Sequence, residues 1–268
     1  FDDVRPFVAK YVENANSLFW RRMMKYILTI LLTTSFIAVA QEPALKGYTS
    51  VYANYTFCNL NEGATFDDVR PFVAKYVENA NSFENNVNLA VLFPMLASNP
   101  EHDFFFVSHA DTREEMGAFN DKMFEIYTQS DAGTPPMECD VNLEAFQRVG
   151  PSSSDADPQG RLIVDYWPCN YKEGFDRSKM REARRKAAVN HYAAGAEGGY
   201  RYIMTNSGTD REQDVDFWFS TSAPSEEARG KNIDLWWSEI RNSEEWEEVR
   251  KHASCNSPES YAAFPLKQ

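Results

Sequence analysis

Two six-residue stretches place the same reactive side chains at the same spacing: CNLNEG (58–63) and CNYKEG (169–174). In each, Asn follows Cys and Glu precedes Gly. An amide there can orient a ligand oxygen, and the carboxylate can act as a general base. Asn59 and Asn170 are therefore candidate ligand contacts, and Glu62 and Glu173 candidate catalytic residues. The same types also have a structural use, because Asn can satisfy a turn and Glu before Gly can cap a helix. The four histidines are dispersed at positions 102, 109, 191 and 252. His109 follows an aromatic run and is a further candidate base or ligand, although a lone His at a strand end is also an ordinary surface residue. No HxxH, HExxH or CxxC spacing occurs, so the pattern supports no metal site.

These residues belong to a longer internal duplication. YTFCNLNEG (55–63) aligns with YWPCNYKEG (166–174), and DFFFVSHADTREEMGAFND (103–121) with DFWFSTSAPSEEARGKNID (216–234). Matches in the same order at a slowly drifting offset indicate two diverged copies of one module. The alignment pairs Phe106 with Phe219, whose period-two aromatic pattern fits either a pocket wall or a buried sheet face. The Gly/Pro/Ser/Asp-rich stretch 150–160 reads as a linker between units 41–149 and 161–268.

Each unit reads strand, helix, strand, strand, helix, strand. In the first, strands are expected over 47–58, 86–97, 102–110 and 140–149. Thr65 with Asp68 opens a helix carrying Val69, Phe72, Val73, Tyr76 and Val77 on one stripe, and Thr112 with Glu115 opens the other. In the second, strands are expected over 161–169, 200–206, 215–222 and 260–266, with helices over 175–194 and 225–250. βαββαβ is the ferredoxin-like order. The fold class is therefore α+β, two tandem ferredoxin-like βαββαβ repeats packed as an intrachain α/β barrel, each covering the other's open sheet face.

In element order, and in the loops Asn61-Glu62-Gly63 and Lys172-Glu173-Gly174, the chain resembles the dimeric α/β-barrel superfamily. That superfamily includes antibiotic-biosynthesis-type monooxygenases, EthD-like proteins and the haem-binding chlorite-dismutase group. The fold so implied sets strand four antiparallel beside strand one. It therefore pairs Cys58 with Cys139 and Cys169 with Cys255, one bridge per repeat. The chlorite-dismutase group ligates haem through a His of its C-terminal repeat, which makes His191, on the first helix of the second repeat, the residue to consider. No other haem signature accompanies it, and no cofactor is expected.

Residues 1–17 repeat 66–82 without a change, and an export signal follows them. Arg21, Arg22 and Lys25 precede the apolar run 27–40, and Ala38-Val39-Ala40 fits a cleavage site before Gln41. Residues 1–22 thus read as a stray duplicate and 23–40 as a signal peptide. The product is expected in the periplasm or outside the cell, with no membrane association after cleavage and in a setting where disulfides persist. The chain carries a net charge of −13, the wrong sign for a nucleic-acid partner.

Two stretches stand apart. KMREARRK (179–186) is a basic island that could receive an anion, face solvent or dock the acidic first repeat. WWSEIRNSEEWEEVRKH (236–252) offers tryptophans at helical spacing, expected in the core and between repeats. The function expected is binding of a small hydrophobic or aromatic molecule, with cofactor-independent oxygenase-type activity as the chemistry. A non-catalytic module that assembles with itself, as a homo-oligomer, or with a partner is the alternative, and haem binding a minor one.

Overall fold

The computed structural model describes residues 48–97, 100–129, 134–153, 160–208 and 215–267. The duplicate at 1–22, the export signal at 23–40 and most of the linker lie outside the described residues.

The first half runs β1 (Thr49–Leu60), α1 (Phe66–Asn81), β2 (Asn88–Leu96), β3 (Phe104–Ala110), α2 (Arg113–Gln129) and β4 (Met137–Val149). The second runs β5 (Leu162–Tyr171), α3 (Arg177–Ala193), β6 (Gly199–Ser207), β7 (Phe217–Ala223), α4 (Glu226–Leu235), a π-helical turn (Trp236–Ile240), α5 (Glu244–His252), β8 (Ala253–Cys255) and β9 (Glu259–Lys267).

Helix starts follow capping chemistry. The Asp68 carboxylate accepts from the Thr65 backbone N–H at 2.9 Å and from its hydroxyl at 2.7 Å. Thr112 and Glu115 cap reciprocally, at 3.2 and 3.1 Å. Asp176 accepts from the Ser178 and Lys179 N–H groups and so opens α3. Each device satisfies N–H groups that a helix start leaves without partners.

One expected element is corrected. The single helix over 225–250 is broken into α4, the π-helical turn and α5. Arg241 N–H donates to Trp236 O at 2.8 Å, a wide i→i+5 turn, and Ser243 then caps a new helix by accepting from Trp246 N–H. Glu244, Glu245 and Glu247 fill its first turn, where carboxylates favour a helix N-terminus over the interior of a longer helix.

Among the described residues, eight strands close into an antiparallel barrel in the order β7-β6-β4-β1-β3-β2-β9-β5, with β5 returning to β7. The halves contribute β4-β1-β3-β2 and β9-β5-β7-β6, and two seams join them: β4 with β6 and β2 with β9. β8 continues the line of β9 along the far end of β5. Alternation along the strands sends Tyr55, Phe105, Val107 and Ile203 into the barrel, where they form a packed core. The opposite faces meet the helices. The barrel interior is thus filled, and space for a ligand has to be sought beneath the helices. No helix among the described residues is long and apolar enough to cross a membrane.

Both disulfides join the expected partners, Cys58 with Cys139 across β1 and β4, and Cys169 with Cys255 across β5 and β8. They close loops with sequence separations of 81 and 86 residues. Alkylation of the unreduced protein should label no cysteine. Replacing Cys169 and Cys255 together by Ser should lower the unfolding free energy by about 4 kcal/mol for a loop of this size, measured by urea titration.

Candidate functional site

The two halves differ beneath their first helices. Counted from the caps Thr65 and Asp176, Val69 corresponds to Met180, Val73 to Arg184, Tyr76 to Ala187, Val77 to Ala188 and Ala80 to His191. In the first half, Phe66, Val69, Val73, Phe93 and Phe104 close over the sheet and leave a void of only about 20 Å³. In the second half the same space is a cavity of about 580 Å³. Its floor is the outer face of β5, β7 and β6, one wall is α3, and the π-helical turn and α5 form the roof. Loss of bulk at Ala187 and Ala188 contributes to this, since alanine fills less of the space than Tyr76 or Val77.

Arg184 enters this space. Its guanidinium carbon lies 3.9 Å from the Phe219 ring centroid and 4.3 Å from that of Trp246. Its Nε is buried with no hydrogen-bond partner. No carboxylate lies within ion-pair distance of it among the described residues. Burial pulls its pKa below the ordinary arginine value, partly countered by Tyr202, Tyr200, Tyr192 and Tyr48. Two more buried polar atoms on the lining make no hydrogen bond of good geometry: Trp167 Nε1, and the Tyr202 hydroxyl, whose nearest polar neighbour is the Tyr48 hydroxyl.

Around these the polar groups are satisfied. The Tyr48 hydroxyl donates to the Arg181 carbonyl and lies 2.9 Å from that of Tyr200, which must therefore donate to it. Burial raises the pKa of Tyr200, Tyr202 and Tyr192, so all three remain neutral phenols. Asp165 is held by Arg229 Nε at 2.9 and 3.0 Å and by the Ser260 hydroxyl. His191 lines the cavity with Nε2 at 2.9 Å from the Asn232 carbonyl, and burial lowers its pKa.

The residues singled out from sequence fall in different places. Asn59 and Asn170 occupy equivalent clamps. Each side-chain oxygen accepts from a backbone N–H, of Asp103 at 3.1 Å and of Asp216 at 3.0 Å. Those aspartates in turn accept from Leu60 N–H at 2.8 Å and Tyr171 N–H at 2.7 Å. Glu62 and Glu173 are exposed on turns before Gly63 and Gly174, whose φ values of +79° and +71° explain the repeated glycine. Phe219 lies on the cavity floor. Its counterpart Phe106 packs under α1, 6.1 Å from the Tyr76 ring.

His109 points into the barrel, far from the surface position open to it in sequence. Arg201 Nη1 donates to its Nε2 at 2.8 Å and to Gln147 Oε1 at 2.9 Å, and Gln147 Nε2 donates to the Tyr55 hydroxyl at 2.6 Å. The tryptophans expected between the repeats instead roof the cavity, where Trp236 and Trp246 meet edge to face at 5.7 Å. Of the basic island, Arg184 turns inward. Arg185, by contrast, pairs with Glu182 on the helix surface at 2.7 Å.

No family model and no curated protein matches the chain. Among solved structures it is similar to a candidate chlorite dismutase, at 13% identity and a TM-score of 0.49, over 81% of this chain and 95% of that one. It is also similar to a double mutant of chlorite dismutase from Candidatus Nitrospira defluvii, at 12% identity and a TM-score of 0.48, covering 81% and 92%. The imidazole complex of the enzyme from that organism matches at 13% identity and 0.47, covering 81% and 92%. Likeness at this level assigns no residue of this chain a role.

Burial, and then Arg201, hold the His109 pKa well below its ordinary value. The unfolded chain therefore binds the proton first, and stability falls as pH drops below about 6.5. His191 adds to the same slope. His109→Gln should flatten the dependence between pH 7 and pH 5 in urea titrations.

Proposed function

We propose that this is an exported, disulfide-bonded protein of two tandem ferredoxin-like repeats, 41–149 and 161–268 joined by 150–160. It binds a small hydrophobic or aromatic molecule in the cavity of its second half. The observation that carries the reading is the cavity itself: about 580 Å³ under α3, against a filled counterpart in the first half. Small-molecule sites commonly measure roughly 300–1,000 Å³ and are walled by apolar and aromatic side chains around a few polar groups. Trp167, Phe217, Phe219, Trp236, Ile240 and Trp246 supply such walls. The equal strand orders β4-β1-β3-β2 and β9-β5-β7-β6 support the duplication. The paired cysteines support an oxidising compartment.

Binding is favoured over oxygenase-type catalysis. Asn59 and Asn170 are committed to clamps, Asp165 to Arg229, and His191 has one ring nitrogen at a main-chain carbonyl. Haem is the second reading, and one observation favours it. His191 stands on the cavity wall with Nε2 anchored to the Asn232 carbonyl, the kind of outer bond a ligating His makes, which leaves Nδ1 for a metal. Haem bound there would supply redox chemistry. The assembly reading has exposed apolar side chains such as Phe124 in its favour, but it gives the cavity no role.

Tryptophan fluorescence should be quenched saturably by naphthalene-sized ligands. Ala188→Trp should abolish saturation, and the milder Ala187→Leu should weaken it, with the circular dichroism unchanged. Unaltered binding in both variants overturns the assignment. Haemin should give a Soret band lost in His191→Ala if the second reading is right, and no Soret band if it is wrong.

A further inference from the structure

Resting on the cavity reading above, we propose that the site selects an anion, a planar aromatic carboxylate whose oxygens are received by Arg184, Trp167 and Tyr202. Three buried side-chain polar atoms that line this cavity lack hydrogen-bond partners among the described residues. Native interiors leave few such groups unpaired, because each is destabilising. Arg184 Nε and Trp167 Nε1 can only donate, and a neutral Tyr202 hydroxyl can donate as well. What is missing is an acceptor.

The three groups share one patch. Phe219 pairs in register with Trp167 on one side and Tyr202 on the other, so the three rings stand in a row on the cavity floor. Arg184 lies over the middle ring at 3.9 Å. With Phe219 and Trp246 against its guanidinium, the free direction is the guanidinium edge, which receives a carboxylate through two parallel N–H bonds. Cation–π contact offsets only part of what burying the charge costs. An anionic ligand supplies the missing counter-charge. The rest of the lining selects the body of that ligand, since Trp236, Ile240 and Phe217 offer flat apolar surface. A chain of net charge −13 does not gather anions generally, so the preference has to come from this patch.

The test compares 2-naphthoate with 2-naphthamide, which share a shape and differ in charge, by fluorescence titration of the disulfide-intact protein at pH 7. The carboxylate should bind at least about tenfold tighter. Arg184→Met should bring the ratio near one, leave amide binding unchanged and keep or raise Tm, while Arg184→Lys should retain part of the preference. Should the Met variant fail to fold, Tyr202→Phe and Trp167→Phe supply the same readout, each narrowing the ratio. Equal affinities in the wild type, or a ratio that survives in Arg184→Met, overturn the anion assignment and leave the cavity reading standing. If neither compound binds, the cavity reading falls and takes this one with it. A further arm compares haemin with its dimethyl ester: loss of binding only on esterification places the same carboxylate chemistry on a porphyrin.

Discussion

Closure of the sheet is the constraint on which everything else rests. Each half presents two open edges, β4 and β2 in one, β6 and β9 in the other, and an unpaired edge exposes a row of backbone groups to water or to other chains. The seams β4–β6 and β2–β9 consume all four edges at once. Once they form, the inner sheet faces are sealed against one another and fill with aromatic and aliphatic side chains. The outer faces, each covered by its own helices, leave the two halves room to differ.

They differ in the side chains of one helix and in the broken segment that roofs the cavity. In α1 the inward positions carry Val and Tyr, and the first half is a solid layer. In α3 the same positions carry Arg and two Ala. The Arg side chain is long enough to cross the opened space, while the alanines are too short to fill it. A stable core has no use for a charge without a counter-ion, three unpaired donors and a large void together. Such features persist where a function depends on them, because each lowers stability. The first half, where α1 and the sheet leave a void of only about 20 Å³, is suited to the part of scaffold.

Much of the architecture was legible in the amino-acid sequence. Period-two and helical stripes located the strands and first helices, capping pairs such as Thr112 with Glu115 marked helix starts, and the alignment of Cys58 with Cys169 implied the disulfides through the strand order. The tail after Ser225 was not legible, because a π-helical turn keeps the spacing of apolar residues close to helical and so masks the break. The site was only half legible. Phe219 was found, since repetition points to shared residues. Arg184 is what such a comparison hides: it is a place where the two halves differ, visible only when α1 and α3 are aligned from their caps. Asn59 and Asn170 attracted notice for the opposite reason. They are kept in both halves because both need the same clamp between the end of one strand and the start of another.

The β2–β9 seam also governs the order of events during synthesis. β2 emerges early and β9 after every other described strand, so the edge of β2 waits through the making of most of the protein. The β4–β6 seam, between neighbours in the chain, can form long before. Until β9 is made, the edge of β2 has no partner from β9, and an open edge invites pairing with foreign strands. For a protein of this plan, the moment at which β9 becomes available sets when the barrel can close.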